Sequence, residues 1–280
     1  MTVQTNGNGR CEVLDVAVSA TGYQDVVERC GAWIAQREKT PDAPARYVCF
    51  LSVHGVISAR DDREIREFLN QADLVAPDGM PVVWALRSFG FRNQQRVYGP
   101  TAMSHLCRAA AAKGHRIFLY GGTPERLRQL RARLEAGFPG LTIAGSYAPP
   151  FRPLTEEEDR EVVARIADCR ADLVFVGIST PKQERWMYEH RHRLPGVVLA
   201  GVGAAFDFHA GRVRQAPVWM RRSGLEWLFR LMMEPTRLWK RYLLVTPRFL
   251  PLWACQWSKT YIRESAGGKL SGWVNGRSES

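Results

Sequence analysis

Six apolar runs rich in β-branched residues, at 47–53, 72–76, 116–120, 141–146, 173–178 and 197–202, constrain this chain more than any other feature. Between them the spacing turns helical. Residues 61–70 place Ile65, Phe68 and Leu69 on one helical face. Pro81 suits the first turn of a helix that 82–88 continue, and 101–113 are Ala-rich. Thr123 and Pro124 match N-cap and N1 of a helix continuing through 126–135. Thr155 and Glu158 have capping-box spacing ahead of 156–169, and Thr180 and Pro181 suit N-cap and N1 of a helix over 182–193. This β-α-β alternation predicts an α/β, Rossmann-like fold, a mostly parallel sheet with helices on both faces.

The alternation stops at Gly211. Residues 217–232, 236–245 and 247–262 read as aromatic, basic helices. Trp219, Trp227, Trp239, Trp253 and Trp257 interleave there with Arg221, Arg230, Arg237, Lys240, Arg241 and Arg248. Residues 212–280 carry 13 of the 39 Lys and Arg but only 4 of the 28 acidic residues, hence +9 of the net +11. Such a segment meets an anionic partner. A bilayer interface favours indole beside cations, and a solvated helical cap is the plainer alternative. Nucleic acid is not expected, because no recognition motif accompanies the charge. The chain thus divides into a core at 11–211 and a helical appendage at 212–262. The polar ends, 1–10 and 263–280, are expected to be disordered.

A hydrophobic fraction of 45% supplies a core and excludes global disorder. No stretch of about 18 uncharged apolar residues suggests a membrane span, and 1–10 lack a secretion signal's basic head and apolar centre. Cys11, Cys30, Cys49, Cys107, Cys169 and Cys255 form no C-x-x-C pair, and read as buried thiols in a reducing compartment, neither a metal site nor a disulfide frame.

Candidate site residues fall just past the apolar runs, where open α/β sheets build their crevices. Asp78, in Pro77-Asp78-Gly79, can serve as a general base if burial raises its pKa, or can simply cap the following helix. Gly121 and Gly122 can admit a phosphate to a helix start, or form a tight turn. Lys182 or Gln183 would face the crevice from the helix that begins near Pro181. Asp207 lies between Phe206 and Phe208, which suits rings flanking a base with a carboxylate for ribose, or a core Phe pair beside a turn. No histidine pair has metal-ligand spacing except His190 and His192, which fall on a charged and therefore exposed helix face. No metal or other cofactor is expected.

Taken in order, A-D-L-V-A-P-D-G-M-P (72–81), R-V-Y-G-P (96–100), I-F-L-Y-G-G (117–122), P-K-Q-E (181–184), G-V-G-A-A-F-D-F-H-A-G (201–211), G-L-E-W-L-F-R-L (224–231) and E-P-T-R-L-W-K-R-Y (234–242) resemble the WecG/TagA/CpsF family of bacterial glycosyltransferases. The resemblance covers about 11–250. It implies inverting, metal-independent transfer from a nucleotide sugar, usually UDP-linked, to a sugar on polyprenyl diphosphate, in surface or exopolysaccharide synthesis. It implies Asp78 as the base, Gln183 and its neighbours Lys182 and Glu184 at donor or acceptor, and Asp207 at the uridine. Arg230, Arg237 and Lys240 or Arg241 would close over the phosphates. Where the family often has T-x-N, this chain has Phe50, Leu51 and Ser52. His54 then fits the N-x-H variant, and Ser52 and His54 are implied substrate contacts. Gln215 stands where Arg is usual. The implied location is cytoplasmic, on the inner face of the cell membrane, with self-association as a way to mask the apolar appendage. Two other readings stay open: a nucleotide-binding oxidoreductase and a non-catalytic membrane-peripheral scaffold.

Overall fold

The runs fold as the alternation predicts. In the computed structural model, which describes residues 9–274 and of Val218, Arg222 and 263–274 the backbone alone, six strands make one parallel sheet. They are β3 (Arg46–Leu51), β4 (Leu74–Pro77), β5 (Arg116–Gly121), β6 (Thr142–Tyr147), β7 (Leu173–Gly177) and β8 (Val198–Gly201), in the order β4-β3-β8-β7-β5-β6. Successive side chains alternate between faces. Tyr47, Cys49 and Leu51 pack in one core with Val174, Val176 and Leu199, while Val48 and Phe50 pack in the other with Phe175, Val198 and Ala200. Burial on both sides explains why the runs are continuously apolar.

The connecting helices are α3 (Arg63–Asn70), α4 (Met80–Ser88), α5 (Gly99–Lys113), α6 (Pro124–Gly137), α7 (Glu156–Asp168) and α8 (Lys182–His190). The Thr123 cap and the Thr155–Glu158 capping box form as expected. The cap of α8 differs. Pro181 is the residue before its first turn, and Thr180 instead donates its hydroxyl to Glu184 Oε1 at 2.9 Å.

Five elements were not anticipated: an antiparallel hairpin, β1 (Arg10–Val13) with β2 (Val16–Ser19), the helices α1 (Tyr23–Gln36) and α2 (Val53–Asp61), and the short helix over Ala205–His209. Of the cysteines read as buried, Cys255 is exposed and Cys169 half-buried. Strand β3 stops at Leu51, and Ser52 is the residue before α2, so the run read as a strand to 53 bends into a helix. Residues 1–8 and 275–280, part of both expected disordered ends, lie outside the described residues.

After the short α9 (Ala205–His209) the appendage begins. The expected single helix over 217–232 is two, α10 (Val218–Arg222) and α11 (Glu226–Met233), broken at Gly224 with φ +79°. Next come α12 (Pro235–Trp239), a π-helical stretch over Lys240–Val245, a 3₁₀ turn and α13 (Phe249–Val274), which continues past the 262 expected for the third helix. The appendage is packed onto the core. Phe249 is fully buried, Trp253 Nε1 donates to Ser88 Oγ at 3.1 Å, and Arg248 forks onto Asp61 at 2.7 and 2.8 Å. Gln256 accepts from the Leu14 amide at 3.0 Å and donates to the Glu12 carbonyl at 2.9 Å, which seats α13 on the hairpin.

Candidate active site

Strands β4, β3 and β8 lie side by side in the parallel sheet, and the crevice past the carboxyl ends of such strands is the expected position of a site. Two backbone latches shape it. Leu51 O, ending β3, accepts from Asp78 N at 2.9 Å and Gly79 N at 3.2 Å. Pro77 O, ending β4, accepts from Val97 N at 2.9 Å and so draws the 96–99 segment alongside. Asp78 therefore projects its carboxylate toward Arg96 and the start of α5. Arg96 Nη2 donates to Asp78 Oδ1 at 2.9 Å, Nε to the same oxygen at 3.2 Å, and Nε also to the Asp78 carbonyl. The Gly99 amide, in the first turn of α5, points at Oδ2 at 3.4 Å, and a helix N-terminus favours an anion there. The residue before α4 has no side-chain cap, so Asp78 is not spent on capping the helix that follows it.

The appendage roofs this crevice. Together they enclose a cavity of about 420 Å³ lined by Ser52, His54, Asp78, Arg96, Tyr98, Glu226, Arg230 and Arg241, among others. Arg241 Nη2 donates to Ser52 Oγ at 3.0 Å, and the Arg230 guanidinium lies 5.7 Å from the Phe208 ring centre. On the opposite side Glu226 Oε2 accepts from Arg96 Nη1 at 2.6 Å. Burial raises the Asp78 pKa, Arg96 opposes that, and the Glu226 charge adds to it; the net direction is up. Burial alone would lower the Arg96 pKa, but its two carboxylates more than offset that. Burial, with Arg241 nearby, lowers the His54 pKa to about 4, so its imidazole is neutral near pH 7. Burial also lowers that of Arg241.

Of the predicted residues, Asp78, Ser52, His54, Arg230 and Arg241 meet in this cavity. Gln183 and Glu184 are buried beneath the neighbouring strand ends. Gln183 Nε2 donates to the Gly201 carbonyl and to Glu184 Oε1, both at 3.1 Å, which leaves Oε1 as the amide's free acceptor, toward Gly203. Burial raises the Glu184 pKa. Lys182 is exposed and turns away from Gln183, so the two do not share a face. It lines a second groove of about 720 Å³ with Tyr120, Gly122, Arg126, Phe151 and Trp186. Gly121 is buried, with φ +133°. A Cβ there would lie 2.5 Å from the Gly177 carbonyl, so close approach of β5 and β7 demands the glycine.

Asp207 forms an ion pair with Arg126 at 2.9 Å. Its flanking rings do not face a common space. Phe206 is in the core against Gly177, whereas Phe208 meets Tyr98 edge-on at 6.1 Å. Arg237 and Lys240 stay on the outer surface, on Glu234 and on the Trp239 ring. His190 is buried rather than exposed. Its ring stacks on Trp186 at 4.2 Å, and its nitrogens lie 2.8 Å from the Trp186 carbonyl and 2.7 Å from Asp159.

Sequence reasoning gave no role to Arg96 or Glu226. The string 96–100 was the one signal that touched Arg96, and only as part of the resemblance.

A parallel α/β sheet with a carboxylate and cationic side chains gathered past its strand ends suits transfer of a phosphate-activated group. The chain belongs to the WecG/TagA/CpsF family of glycosyl transferases, whose description matches residues 11–263. It is 35% identical over 189 residues to the N-acetylglucosaminyldiphosphoundecaprenol N-acetyl-β-D-mannosaminyltransferase of Bacillus subtilis (strain 168), covering 67% of this chain and 71% of the relative. The enzyme of the same name from Bacillus spizizenii (strain ATCC 23059 / NRRL B-14472 / W23) is 35% identical over 182 residues, 65% of this chain and 68% of the relative. With membership in this family the oxidoreductase and scaffold readings fall away, and the protein is an enzyme that transfers a sugar.

Proposed function

We propose that this chain transfers a hexosaminyl group from a UDP-linked donor to an N-acetylglucosaminyl-diphosphate polyprenol, with inversion and without a metal. The observation that carries the reading is the Asp78 carboxylate, its pKa raised by burial, in one cavity with Arg230 and Arg241. The relatives' names support the acceptor. Asp78 removes the proton of an acceptor hydroxyl as that oxygen attacks the anomeric carbon. The bond from that carbon to the diphosphate breaks on the opposite face. Arg230 and Arg241 stabilise the charge that develops on departing UDP. Ser52 and His54 contact the sugars, and the buried Gln183 supports the site from below by holding the Gly201 carbonyl at the end of β8. The nucleoside end of the donor lies in the larger groove, where Phe151 offers an exposed ring beside Gly122 and Lys182, and its diphosphate extends from there to Arg230 and Arg241. Asp207 acts in that groove by fixing Arg126 in the wall.

Sugar transfer to a short-chain acceptor of this type, assayed over a panel of UDP-sugars with EDTA present, is expected for one donor. Absence of transfer from every donor, by protein that binds UDP, would remove the reading.

The acceptor's lipid implies work at a membrane surface, and the appendage supports it. Trp219 is 62% exposed, Leu243 55% and Leu244 58%, and the basic Arg237 and Lys240 are exposed as well. Among the described residues no helix is long and apolar enough to cross a membrane. We place these exposed side chains on the cytoplasmic surface of the bilayer, or against a second copy in solution. Replacing Trp219, Leu243 and Leu244 together by Ser is expected to weaken co-sedimentation with anionic vesicles about tenfold or more. Unchanged binding would show that another surface meets the lipid.

A further inference from the structure

Glu226 is a carboxylate that the appendage sends into the Asp78 cavity, in the first turn of α11. Its side chain is 8% exposed, and its Oε2 is 2.6 Å from Arg96 Nη1. The other side of the same guanidinium holds Asp78, and the Tyr98 ring lies against it at 4.3 Å. One cation thus stands between two carboxylates, and the trio carries a net negative charge. Arg96 already has a counter-charge in Asp78, so a second buried anion is not needed to compensate it. A buried charge without full compensation is costly, which makes its presence informative.

We propose that Glu226 is a positioning residue for the general base, holding Arg96 through Nη1 so that this guanidinium does not fully neutralise Asp78. The proposal rests on the reading of Asp78 as the base. The cavity supports it from every side. Arg96 and the Gly99 amide favour the Asp78 anion, as does the more distant Arg241. The Glu226 charge opposes it, the hydroxyls of Tyr23 and Tyr98 lie close by, and His54 and Arg230 line the same cavity. Without Glu226 the balance tips to Arg96, and Asp78 becomes a weaker base. Because Glu226 belongs to the appendage, a core whose α11 is undocked has a quenched base.

The test is a carboxyl ¹³C titration of the full chain, with the Asp78 resonance assigned by its loss in Asp78→Asn. In Glu226→Gln the Asp78 midpoint is expected to fall by about one pH unit or more, as two charges on one guanidinium imply. In Glu226→Asp, which keeps the charge, it is expected to stay near the wild-type value. An unchanged midpoint in Glu226→Gln overturns the proposal. Transfer assays keep the two claims apart. Full activity in Asp78→Asn removes the base role, whereas an inactive Asp78→Asn with an unmoved Glu226→Gln midpoint removes only the role of Glu226.

Discussion

Asp78→Asn is expected to lower turnover by about 10²–10⁴-fold, the usual contribution of a general base, while UDP still binds. The amide has nearly the carboxylate's shape. Its oxygen can still accept from Arg96, which now makes contacts at 2.9 and 3.2 Å, and the backbone latch from Asp78 N to Leu51 O does not involve the side chain. What is lost is the ability to take a proton from the attacking hydroxyl. The pH profile separates this from a packing defect. The wild-type rate should fall at low pH along a limb lying above the ordinary carboxylate range, because burial and Glu226 raise the Asp78 pKa. The variant should lack that limb. Equal turnover in the two proteins would remove Asp78 from the mechanism.

Arg96→Met is expected to cost about 3–5 kcal/mol of stability, the range for removing one partner of a buried ion pair. Methionine fills much of the space but leaves Asp78 and Glu226 facing each other with no cation between them. Both side chains are well shielded, at 18% and 8% exposure. Their repulsion is relieved when a proton is bound, which fixes the sign of the pH dependence. The deficit is smallest at acid pH, where carboxyls are protonated in folded and unfolded chains alike, and grows as pH rises through the unfolded carboxylate range. Denaturant melts of both proteins at pH 4 and pH 8 measure it. A deficit independent of pH would mean that Arg96 acts by packing on Tyr98 rather than by charge. The appendage should loosen first, because Glu226 is its anchor on this cation.

The features legible in the sequence are those written in consecutive residues. The runs at 116–120 and 173–178 are apolar at every other step on both faces, because both faces are covered. Pro77-Asp78-Gly79 marks a strand end locally, so Asp78 is readable as a site residue. Helix α2 is not. The β-branched Val53 prolongs the β3 run past Ser52, the residue before the helix, and Val56 and Ile57 carry a strand preference into the helix itself. His190, set among Glu189, Arg191 and His192, looks like a surface residue. Its burial is decided by Asp159, 31 residues away on α7. The Asp78–Arg96–Glu226 trio is the extreme case. Its links span 18 and 130 residues, and no periodicity connects them. The resemblance marks all three strings without saying that they touch.

The π-helical turn over Lys240–Val245 is where the appendage reaches Ser52 through Arg241 and shows Leu243 and Leu244 to the outside. A π turn holds an extra residue relative to an α turn, and each helical residue rotates the chain by about 100°. Losing one residue here would swing Phe249, Trp253 and Gln256 off the surfaces they now meet, even with every remaining side chain unchanged. Segment length, alongside the identity of Arg241, is therefore what inheritance must preserve here. Substitutions on the outer face that keep its apolar and basic character should be tolerated among relatives, while insertions and deletions between 240 and 248 should be rare.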